Sequence, residues 1–307
     1  RENRYFINMD DFKFETKENL LRLPSWINFP ISKASEFERI QNLIKKSNIH
    51  TICEEGRCPN RAECYASGTA TFLLGGSVCS RACAFCQVNK GRPMEVDLQE
   101  SKKVANAVEI LNLKYVVLTS VARDDLYDHG AIFFTSTIDE IRKIDNNIKI
   151  EVLTPDLWGG GKNLKERATL QKERLKIILD KAPFCFNHNL ETVERLQKEV
   201  RRGANYNSSI NLLKLSKKLA PEIQTKSGIM LGLGENLDEI KKTILDLKEA
   251  ECDQITIGQY LRPSLKHLPV RKYWDPKEFD YISDFSKDVG FRKISCGPLI
   301  RSSYHAG

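Results

Sequence analysis

From about residue 69 onward, short runs of apolar and β-branched residues alternate with longer amphipathic segments. This alternation is typical of βα units, which build a parallel sheet covered by helices. Six runs have the length and composition of buried strands, and they lie at residues 69–74, 115–119, 148–153, 184–186, 227–231 and 254–257. Six units are too few for the closed eight-stranded form. We therefore predict an α/β fold built on a partial (β/α)6 barrel of the TIM type.

The amphipathic segments between these runs predict the helices, at residues 97–111, 132–144, 164–179, 192–200, 210–219, 236–250 and 276–289. Two segments begin in the form of a capping box, in which a polar side chain and a glutamate three residues later satisfy the first backbone N–H groups. These pairs are Asp97 with Glu100 and Asn236 with Glu239. The glycine-rich stretch TPDLWGGG at 154–161 predicts a flexible connection.

The chain of 307 residues fits one barrel-sized unit with additions at both ends. Hydrophobic residues make up 41% and charged residues 29%, as in a soluble globular protein. We place an N-terminal cysteine-bearing extension at residues 1–68, the barrel at 69–290 and a C-terminal tail with the sequence RSSY at 291–307. No apolar stretch approaches the ~18 residues that cross a membrane, so we predict no membrane contact.

Six of the nine cysteines fall in two groups with different spacing. The upstream triplet is Cys53, Cys58 and Cys64, and the downstream triplet is Cys79, Cys83 and Cys86. Thiolates hold iron–sulfur clusters, and three of them on a four-iron cluster leave one iron without a protein ligand, which indicates catalysis. The downstream triplet follows the first predicted strand, in a βα loop of the kind that builds active sites in barrels.

Structural zinc and disulfides are the alternatives that these cysteines leave open. The cysteine density is well below that of a small disulfide-bonded secreted domain, so we expect a reducing compartment. Cys185, Cys252 and Cys296 are isolated from the two triplets, and we predict a structural role for all three. Cys185 and Cys252 adjoin apolar runs, where free cysteine behaves as a small buried hydrophobe.

The net charge of +7 is spread over 48 basic and 41 acidic residues. Such a mixture does not form the basic stripe of a nucleic-acid-binding protein. We predict an acidic protein as the partner, and on composition alone a solvated lysine surface is the alternative. The first residues lack the apolar core of a signal peptide. We expect the cytoplasm as the compartment, or a mitochondrion or plastid if a targeting segment precedes this sequence.

The two triplets and several other stretches resemble the lipoyl synthase family of radical S-adenosylmethionine enzymes. The triplets occur in that family's order, Cys-x4-Cys-x5-Cys before Cys-x3-Cys-x2-Cys. Further similar stretches are TSVARDDLYDHGA (119–131), TPDLWG (154–159), FNHNLETV (186–193), TKSGIMLGLGE (225–235), GQYLRPS (258–264) and GPLIRSSY (297–304). The downstream triplet alone would indicate only the superfamily, whereas both triplets together with RSSY are specific to this family.

The resemblance implies two [4Fe-4S] clusters with separate roles. The downstream triplet would hold the cluster whose open iron binds S-adenosylmethionine and delivers the electron that generates a 5′-deoxyadenosyl radical. The upstream triplet would hold an auxiliary cluster completed by the oxygen of Ser303, with Ser302 as the adjacent alternative. A serine oxygen is a harder ligand than a thiolate, so its iron should be the easiest to lose. The auxiliary cluster would then serve as the sulfur donor.

The activity implied by the resemblance is radical-mediated insertion of two sulfur atoms, at C6 and C8 of an octanoyl group carried on a lysine of a protein. The implied partners are octanoylated lipoyl domains, namely those of oxoacid dehydrogenase acyltransferase subunits and the glycine cleavage H protein. An electron donor such as ferredoxin or flavodoxin and a carrier that repairs the auxiliary cluster are also implied. Lipoyl domains are acidic, which gives the positive net charge a use. We expect a monomer.

Four polar residues that follow predicted strands are candidates for binding S-adenosylmethionine, and they are Arg123, Asn187, Asn189 and Glu191. Groups at the carboxyl ends of barrel strands commonly bind ligands. The alternatives are a salt bridge of Arg123 with a neighbouring aspartate, and a hydrogen-bonded turn for the other three.

Three other functions remain open on the sequence. Sulfur insertion of the biotin synthase type would use a different auxiliary cluster, and the upstream triplet with RSSY argues against it. A two-cluster electron carrier would ligate every iron with cysteine and would not need a barrel. A zinc-stabilised binding module would bind no iron and would be colourless.

Overall fold

The computed structural model describes residues 21–28, 34–58, 60–66 and 70–303. Within the predicted extension, helix α1 (Ala34–Lys46), strand β1 (His50–Thr51) and the short helices α2 (Ile52–Glu55) and α3 (Arg61–Ala66) precede the barrel. Parts of the sequence analysis lie outside the described residues: the first 20 residues of the predicted extension, Thr69 of the first predicted strand, and the end of the predicted tail from Tyr304 of RSSY onward.

The barrel region alternates strands and helices as the sequence predicts. Its elements are β2 (Thr71–Leu74), β3 (Val78–Cys79), β4 (Asn89–Lys90), α4 (Glu100–Ile110), β5 (Tyr115–Ser120), α5 (Ala131–Ile144), β6 (Lys149–Leu153), α6 (Leu164–Leu179), β7 (Cys185–Asn187), α7 (Gln197–Val200), α8 (Tyr206–Leu219), β8 (Gln224–Leu231), α9 (Leu237–Glu249), β9 (Gln254–Gln259), α10 (Pro276–Val289) and β10 (Lys293–Gly297). A 3₁₀ turn at Glu194–Leu196 leads directly into α7.

The main sheet has eight strands in the order β1-β2-β5-β6-β7-β8-β9-β10. Strand β1 is antiparallel to β2, and every later neighbour pairs in parallel. The sheet is open between its first and last strands, which confirms a partial barrel. Strands β3 and β4 form a separate two-stranded pair beside it.

One strand of the parallel sheet was not predicted. Strand β10 pairs with β9 along its whole length, in the segment that the sequence analysis assigned to the tail. Its first residue, Lys293, is exposed and the other four are only half-buried, so KISCG contains no continuous apolar run. The barrel therefore has seven parallel strands rather than six, and the tail that carries RSSY leaves directly from the last of them.

The two predicted capping boxes differ in outcome. Asn236 and Glu239 form one at the start of α9, with both reciprocal hydrogen bonds present. The box predicted for Asp97 and Glu100 is wrong, because α4 begins at Glu100 itself. The Glu100 carboxylate instead accepts hydrogen bonds from the backbone N–H groups of Gly75 and Gly76, over 2.8 Å and 3.2 Å. A tertiary contact thus replaces a local one.

The core lies between the sheet and the outer helices, and side chains of neighbouring strands such as Leu74, Leu118 and Val152 have no exposed surface. The stretch 154–161 has no regular secondary structure, yet Asp156 and Leu157 within it are fully buried. No helix in the described part of the chain is both long and apolar enough to span a bilayer.

Candidate active site

A cavity of about 520 Å³ lies at the carboxyl ends of the parallel strands. Five of the six clustered cysteines line it: Cys53, Cys58, Cys79, Cys83 and Cys86. A larger cavity of about 650 Å³ lies between α6 and α8 and contains none of the predicted ligands. We place the active site in the 520 Å³ cavity because cysteines of both triplets and residues of the tail line it.

Hydrogen bonds at three positions hold the loop of the downstream triplet, at Cys79, Ala84 and Cys86. The backbone N–H groups of Arg81 and Ala122 point at the Cys79 sulfur, over 3.4 Å and 3.3 Å. The Nε2 atom of His267 lies 3.0 Å from the Cys86 carbonyl oxygen. The backbone N–H of Ala84, which lies between Cys83 and Cys86, donates to the Val200 carbonyl oxygen over 2.8 Å. The loop that carries the triplet is therefore fixed by hydrogen bonds at Cys79, Ala84 and Cys86.

Arg81, between the first two cysteines of the downstream triplet, is enclosed by two carboxylates. Its Nε and Nη2 atoms donate to Asp124 over 3.0 Å and 2.7 Å, and its Nη1 atom lies 2.7 Å from Asp156. Burial alone would raise the pKa of Asp156, but the Arg81 guanidinium outweighs burial and lowers that pKa below its usual value. Since Asp124 follows β5 and Asp156 follows β6, Arg81 ties the triplet loop to two strand ends.

Burial is the main cause of raised pKa values in four of the clustered thiols. The pKa rises to about 12 for Cys53, Cys64 and Cys86, and to about 11 for Cys83, where the positive charge of Arg201 partly offsets burial. Such thiols are protonated at neutral pH. A bound metal supplies the positive charge that deprotonates a coordinating thiol, so these residues become ligands only together with iron.

The upstream triplet surrounds a small cavity of its own. Cys53 lies on α2, Cys64 lies on α3, and Cys58 lies between them. The lining of this small cavity comprises Cys53, Cys58, Asn60, Cys64, Thr71, Arg301 and Ser303. Three thiols and the hydroxyls of Thr71 and Ser303 are therefore assembled at one place, although Ser303 comes from the opposite end of the chain.

The two serines of RSSY are placed differently. Both serines line the 520 Å³ cavity, but of the two only Ser303 also lines the small cavity of the upstream triplet. The Ser302 hydroxyl accepts a hydrogen bond from the side-chain amide of Asn189 over 2.6 Å. This arrangement favours Ser303 over Ser302 as the fourth ligand beside the upstream triplet.

The four candidate cofactor-binding residues divide into two pairs. Asn189 and Glu191 line the 520 Å³ cavity. Burial raises the pKa of Glu191, and the charge of Arg201 opposes that rise. The prediction for Arg123 and Asn187 is not supported, since neither residue lines the cavity.

Arg123 and Asn187 are engaged elsewhere in the barrel. Arg123 forms a salt bridge with Asp125 over 2.8 Å, which is the alternative that the sequence left open. Asn187 donates to the buried carboxylate of Glu151 over 2.7 Å, and Lys226 pairs with the same carboxylate. Asn187 thus satisfies a buried carboxylate far away in the chain, whereas Arg123 pairs with an exposed carboxylate two residues away.

Several residues of the cavity were not identified from the sequence as site residues, and they include Arg81, Asp156, Arg201, Gln259, Arg262 and Arg301. Arg81 stands inside the downstream triplet and Arg301 precedes the two serines, so their positions in motifs could have indicated them. Arg201 lies in a turn after α7 and carries no such signal.

The donor set and the polar lining fit the groups that the family resemblance implies. Buried polar atoms without a hydrogen-bond partner occur on six residues of the cavity lining: Gln87, Ser120, Thr154, Asp156, Asn189 and Arg262. A polar cofactor could satisfy such atoms. All nine cysteines are free thiols, so the disulfide alternative is wrong.

Within the described residues, no group of three or more His, Cys, Asp or Glu side chains is arranged to hold a single metal ion. A four-iron cluster has its thiolates on separate iron atoms, so it requires a space between the sulfurs rather than one shared coordination point. The isolated cysteines take the structural places predicted for them, with Cys185 and Cys252 buried in the barrel and Cys296 half-buried on β10.

Comparison with protein families gives two matches. A model of the radical SAM superfamily matches residues 74–247. A model of the N-terminal domain of lipoyl synthase, within the radical SAM family, matches residues 3–58. The two matched segments correspond to most of the barrel and to the region that precedes it.

Curated relatives are similar along almost the whole chain. Lipoyl synthase 2 of Prochlorococcus marinus subsp. pastoris is 76% identical over 290 residues, which cover 94% of this chain and 97% of that protein. Lipoyl synthase 2 of Nostoc sp. is 54% identical over 292 residues, covering 95% and 96%. Lipoyl synthase of Hahella chejuensis is 44% identical over 300 residues, covering 98% and 87%.

Solved structures with the same fold are much more distant in sequence. SuiB of Streptococcus suis bound to S-adenosylmethionine has a TM-score of 0.55 and 12% identity, and the match covers 86% of this chain and 61% of that chain. Methylornithine synthase has a TM-score of 0.51 and 11% identity, with 87% and 79% covered. These likenesses concern the fold alone.

Proposed function

This chain belongs to the lipoyl synthase family of the radical S-adenosylmethionine superfamily, and we propose how its two cysteine triplets divide the reaction. The enzyme is a sulfurtransferase that inserts two sulfur atoms into a protein-bound octanoyl group, at C6 and C8. The observation that carries the proposed division is that five of the six clustered cysteines line one cavity, while the small cavity beside it is lined by the whole upstream triplet and Ser303 and by no downstream cysteine.

The downstream triplet is proposed to ligate a [4Fe-4S] cluster through three cysteines, and the upstream triplet with Ser303 to ligate a second. When bound, the first cluster supplies the electron that cleaves S-adenosylmethionine, and the second supplies the sulfur. The protein side chains position the loops that carry the ligands. Arg81 holds the downstream loop against the ends of β5 and β6 through its two carboxylate partners.

Asn189 and Glu191 are proposed to orient S-adenosylmethionine beside the downstream triplet. Both line the cavity, and the Oδ1 atom of Asn189 is buried without a partner. Glu191 is half-buried, and the positive charge of Arg201 opposes the rise in its pKa that desolvation causes. An ionised carboxylate there can accept hydrogen bonds from amino or hydroxyl groups of the cofactor.

The apolar part of the cavity is proposed to receive the octanoyl chain. Phe85, Met230 and Leu261 lie in the same lining as the cysteines. An alkyl chain gains about 0.8 kcal/mol for each buried CH₂ group. Apolar walls also exclude water, which limits side reactions of a reactive intermediate.

The octanoyl group is proposed to arrive on an acidic lipoyl domain of an oxoacid dehydrogenase or on the glycine cleavage H protein. The net charge of +7 supports such a partner through electrostatic attraction. We also propose a ferredoxin or flavodoxin as electron donor, a carrier that rebuilds the auxiliary cluster, a monomeric state and a cytoplasmic location.

The deciding experiment incubates the anaerobically reconstituted protein with S-adenosylmethionine, a strong reductant and an octanoylated lipoyl-domain peptide. Mass spectrometry should detect the addition of two sulfur atoms to the peptide. Replacement of the downstream triplet by alanine should abolish 5′-deoxyadenosine formation and leave the iron and sulfide of one cluster. Replacement of the upstream triplet should leave 5′-deoxyadenosine formation but stop sulfur addition. Peptide without added sulfur from the unaltered enzyme would contradict the proposal.

A further inference from the structure

A side chain that belongs to neither triplet joins the upstream cysteines to the tail. Asn60 stands between Cys58 and Cys64, and its Nδ2 atom donates to the carbonyl oxygen of Leu299 over 2.6 Å. The two residues are 239 positions apart in the chain. Asn60 is only 1% exposed. Water cannot easily replace a buried partner, so loss of this donor would leave the Leu299 carbonyl unsatisfied.

Asn60 also holds the cysteine segment through its backbone. Its carbonyl oxygen accepts a hydrogen bond from the N–H of Cys64 over 2.9 Å, at the start of α3. Asn60, Cys64 and Ser303 line the same small cavity. One residue therefore positions both the helix that carries the third cysteine and the tail that carries the serine.

Other contacts of the tail attach it to the barrel instead. Asn189 donates to the Ser302 hydroxyl over 2.6 Å. The Ile300 carbonyl oxygen packs directly on Gly258 of β9, where a Cβ atom would overlap it. These contacts fix the tail near the strand ends, but they do not involve the segment that carries the upstream triplet.

We propose that Asn60 is a positioning residue of the auxiliary site, whose side-chain amide clasps the tail so that Ser303 stays beside the upstream triplet. The proposal rests on the assignment of that triplet and Ser303 as ligands of the auxiliary cluster. Removal of the amide donor leaves the tail attached to the barrel and loosens its link to the cysteine segment. The downstream triplet, which Asn60 does not contact, keeps its cluster.

The first test compares Asn60→Asp with Asn163→Asp in the full-length, reconstituted protein. Asn60→Asp hardly changes the shape of the side chain, and it places an acceptor opposite the Leu299 carbonyl. Asn163→Asp is the matched control, because Asn163 is the N-cap of α6 and accepts from the N–H of Glu166 over 2.9 Å. Aspartate caps helices as well as asparagine does.

Hydrogen exchange followed by mass spectrometry tests directly whether the hydrogen bond from Asn60 to Leu299 holds the tail. In Asn60→Asp, the backbone amides of residues 299–303 should exchange at least roughly fivefold faster, as expected when one buried hydrogen bond is lost. Asn163→Asp should leave this exchange unchanged. The readout needs no substrate, so it is independent of lipoyl formation.

A second readout distinguishes positioning of the cluster ligand from a general structural effect. Iron transfer from the protein to a chelator should become roughly tenfold faster or more for the auxiliary cluster of Asn60→Asp. The electron paramagnetic resonance signal of the reduced downstream cluster should stay as in the unaltered protein. If the added charge of Asn60→Asp prevents cluster assembly, both measurements are made on Asn60→Ala, which removes the amide donor without adding a charge.

Unchanged tail exchange and unchanged iron transfer in both Asn60 variants would overturn the proposal. Loss of both clusters together would also overturn it, because the effect would then not be specific to the auxiliary site. If tail exchange is faster in the Asn60 variants but the unaltered enzyme adds no sulfur to the octanoyl peptide, the positioning role of Asn60 is supported and the proposed function is contradicted. The two failures can therefore be told apart.

Discussion

The side-chain amide of Asn189 donates a hydrogen bond to the hydroxyl of Ser302 across 113 residues of sequence. Asn189 follows β7 at the cavity, and Ser302 belongs to the tail. The same amide also donates to the Glu191 carboxylate over 3.0 Å. A residue proposed to orient the cofactor is therefore bonded to the neighbour of the proposed cluster ligand Ser303, so the two halves of the site share a polar connection.

A double-mutant cycle should measure the strength of this connection. Asn189→Ala and Ser302→Ala together should cost about 1 kcal/mol less in free energy of unfolding than the sum of the single variants, because either substitution alone already removes the bond. Urea denaturation of all four proteins gives the coupling energy. As a control, Asn189→Ala combined with Ser136→Ala on α5 should be additive within about 0.5 kcal/mol. Additivity in the first cycle would show that the bond contributes no stability.

Exchange of the proposed serine ligand for cysteine should separate cluster binding from sulfur transfer. Ser303→Cys should keep the iron content of two clusters, because thiolate is a softer and better partner for cluster iron than a serine oxygen. Lipoyl formation should fall roughly tenfold or more, since the iron is then held too firmly to expose sulfide. Ser302→Cys is the control and should retain more activity. Undiminished lipoyl formation in Ser303→Cys would refute the labile-iron argument.

Arg81→Lys should destabilise the downstream loop although it preserves the charge. Lysine cannot reproduce the fork that contacts Asp124 and Asp156 together, and Asp156 is fully buried. We expect a loss of about 1–3 kcal/mol in the free energy of unfolding and a lower yield of the downstream cluster. Urea denaturation and the iron content of a protein with an alanine-substituted upstream triplet measure the two effects.

Arg195→Lys provides the matched comparison. Arg195 also contacts a carboxylate through two nitrogens, at 2.6 Å and 2.9 Å from Glu239, but its side chain is 57% exposed. Exposed ion pairs contribute roughly 0–1 kcal/mol, so this variant should remain close to the unaltered protein. Equal losses in the two variants would mean that burial of Asp156 does not strengthen the Arg81 contact.

Stability should fall with decreasing pH through one buried histidine. Burial, together with the positive charge of Arg201, lowers the pKa of His188 from its ordinary value of 6.5 to about 3. His188 stays neutral in the fold, with its ring nitrogens 2.9 Å from the Thr154 carbonyl and the Ser209 hydroxyl. The unfolded chain binds a proton there first, so stability is complete above pH 6.5 and is lost as pH falls from 6.5 towards 3.

His188→Gln should remove this contribution. The unaltered protein should lose up to about 1.4 kcal/mol more per pH unit than the variant below the ordinary histidine pKa. Urea denaturation of cluster-free protein at several values between pH 7 and pH 5 measures the two slopes. The variant is expected to be less stable throughout, and only the difference in slope tests the argument. Parallel curves would contradict it.

The predicted strands were found because each is a short apolar run, and such runs follow from burial on both faces of a parallel sheet. Strand β10 was not predicted because its residues are half-buried or exposed and do not form a continuous apolar run. The capping box of α9 was predictable from Asn236 and Glu239, which contact each other locally. Glu100 was misassigned because its carboxylate binds Gly75 and Gly76 of another segment.

The positions of the candidate cofactor residues show the same limit. All four lie at the end of a strand or shortly after it, and strand ends in a barrel converge on one face. Direction of a side chain depends on what surrounds it, however. Asn189 and Glu191 reach the cavity, while Asn187 is drawn to the buried carboxylate of Glu151 and Arg123 to Asp125.

The sequence by itself determined the type of chemistry, because ligand identity and short spacings are local properties that a loop preserves. It specified two thiol triplets and their order along a βα chain. Only the tertiary structure decided that cysteines of both triplets line one cavity, that Ser303 and not Ser302 lines the small cavity of the upstream triplet, and that Asn60 meets Leu299. Those contacts join residues far apart in the chain, so they depend on the curvature of the sheet and the path of the tail, which no local pattern encodes.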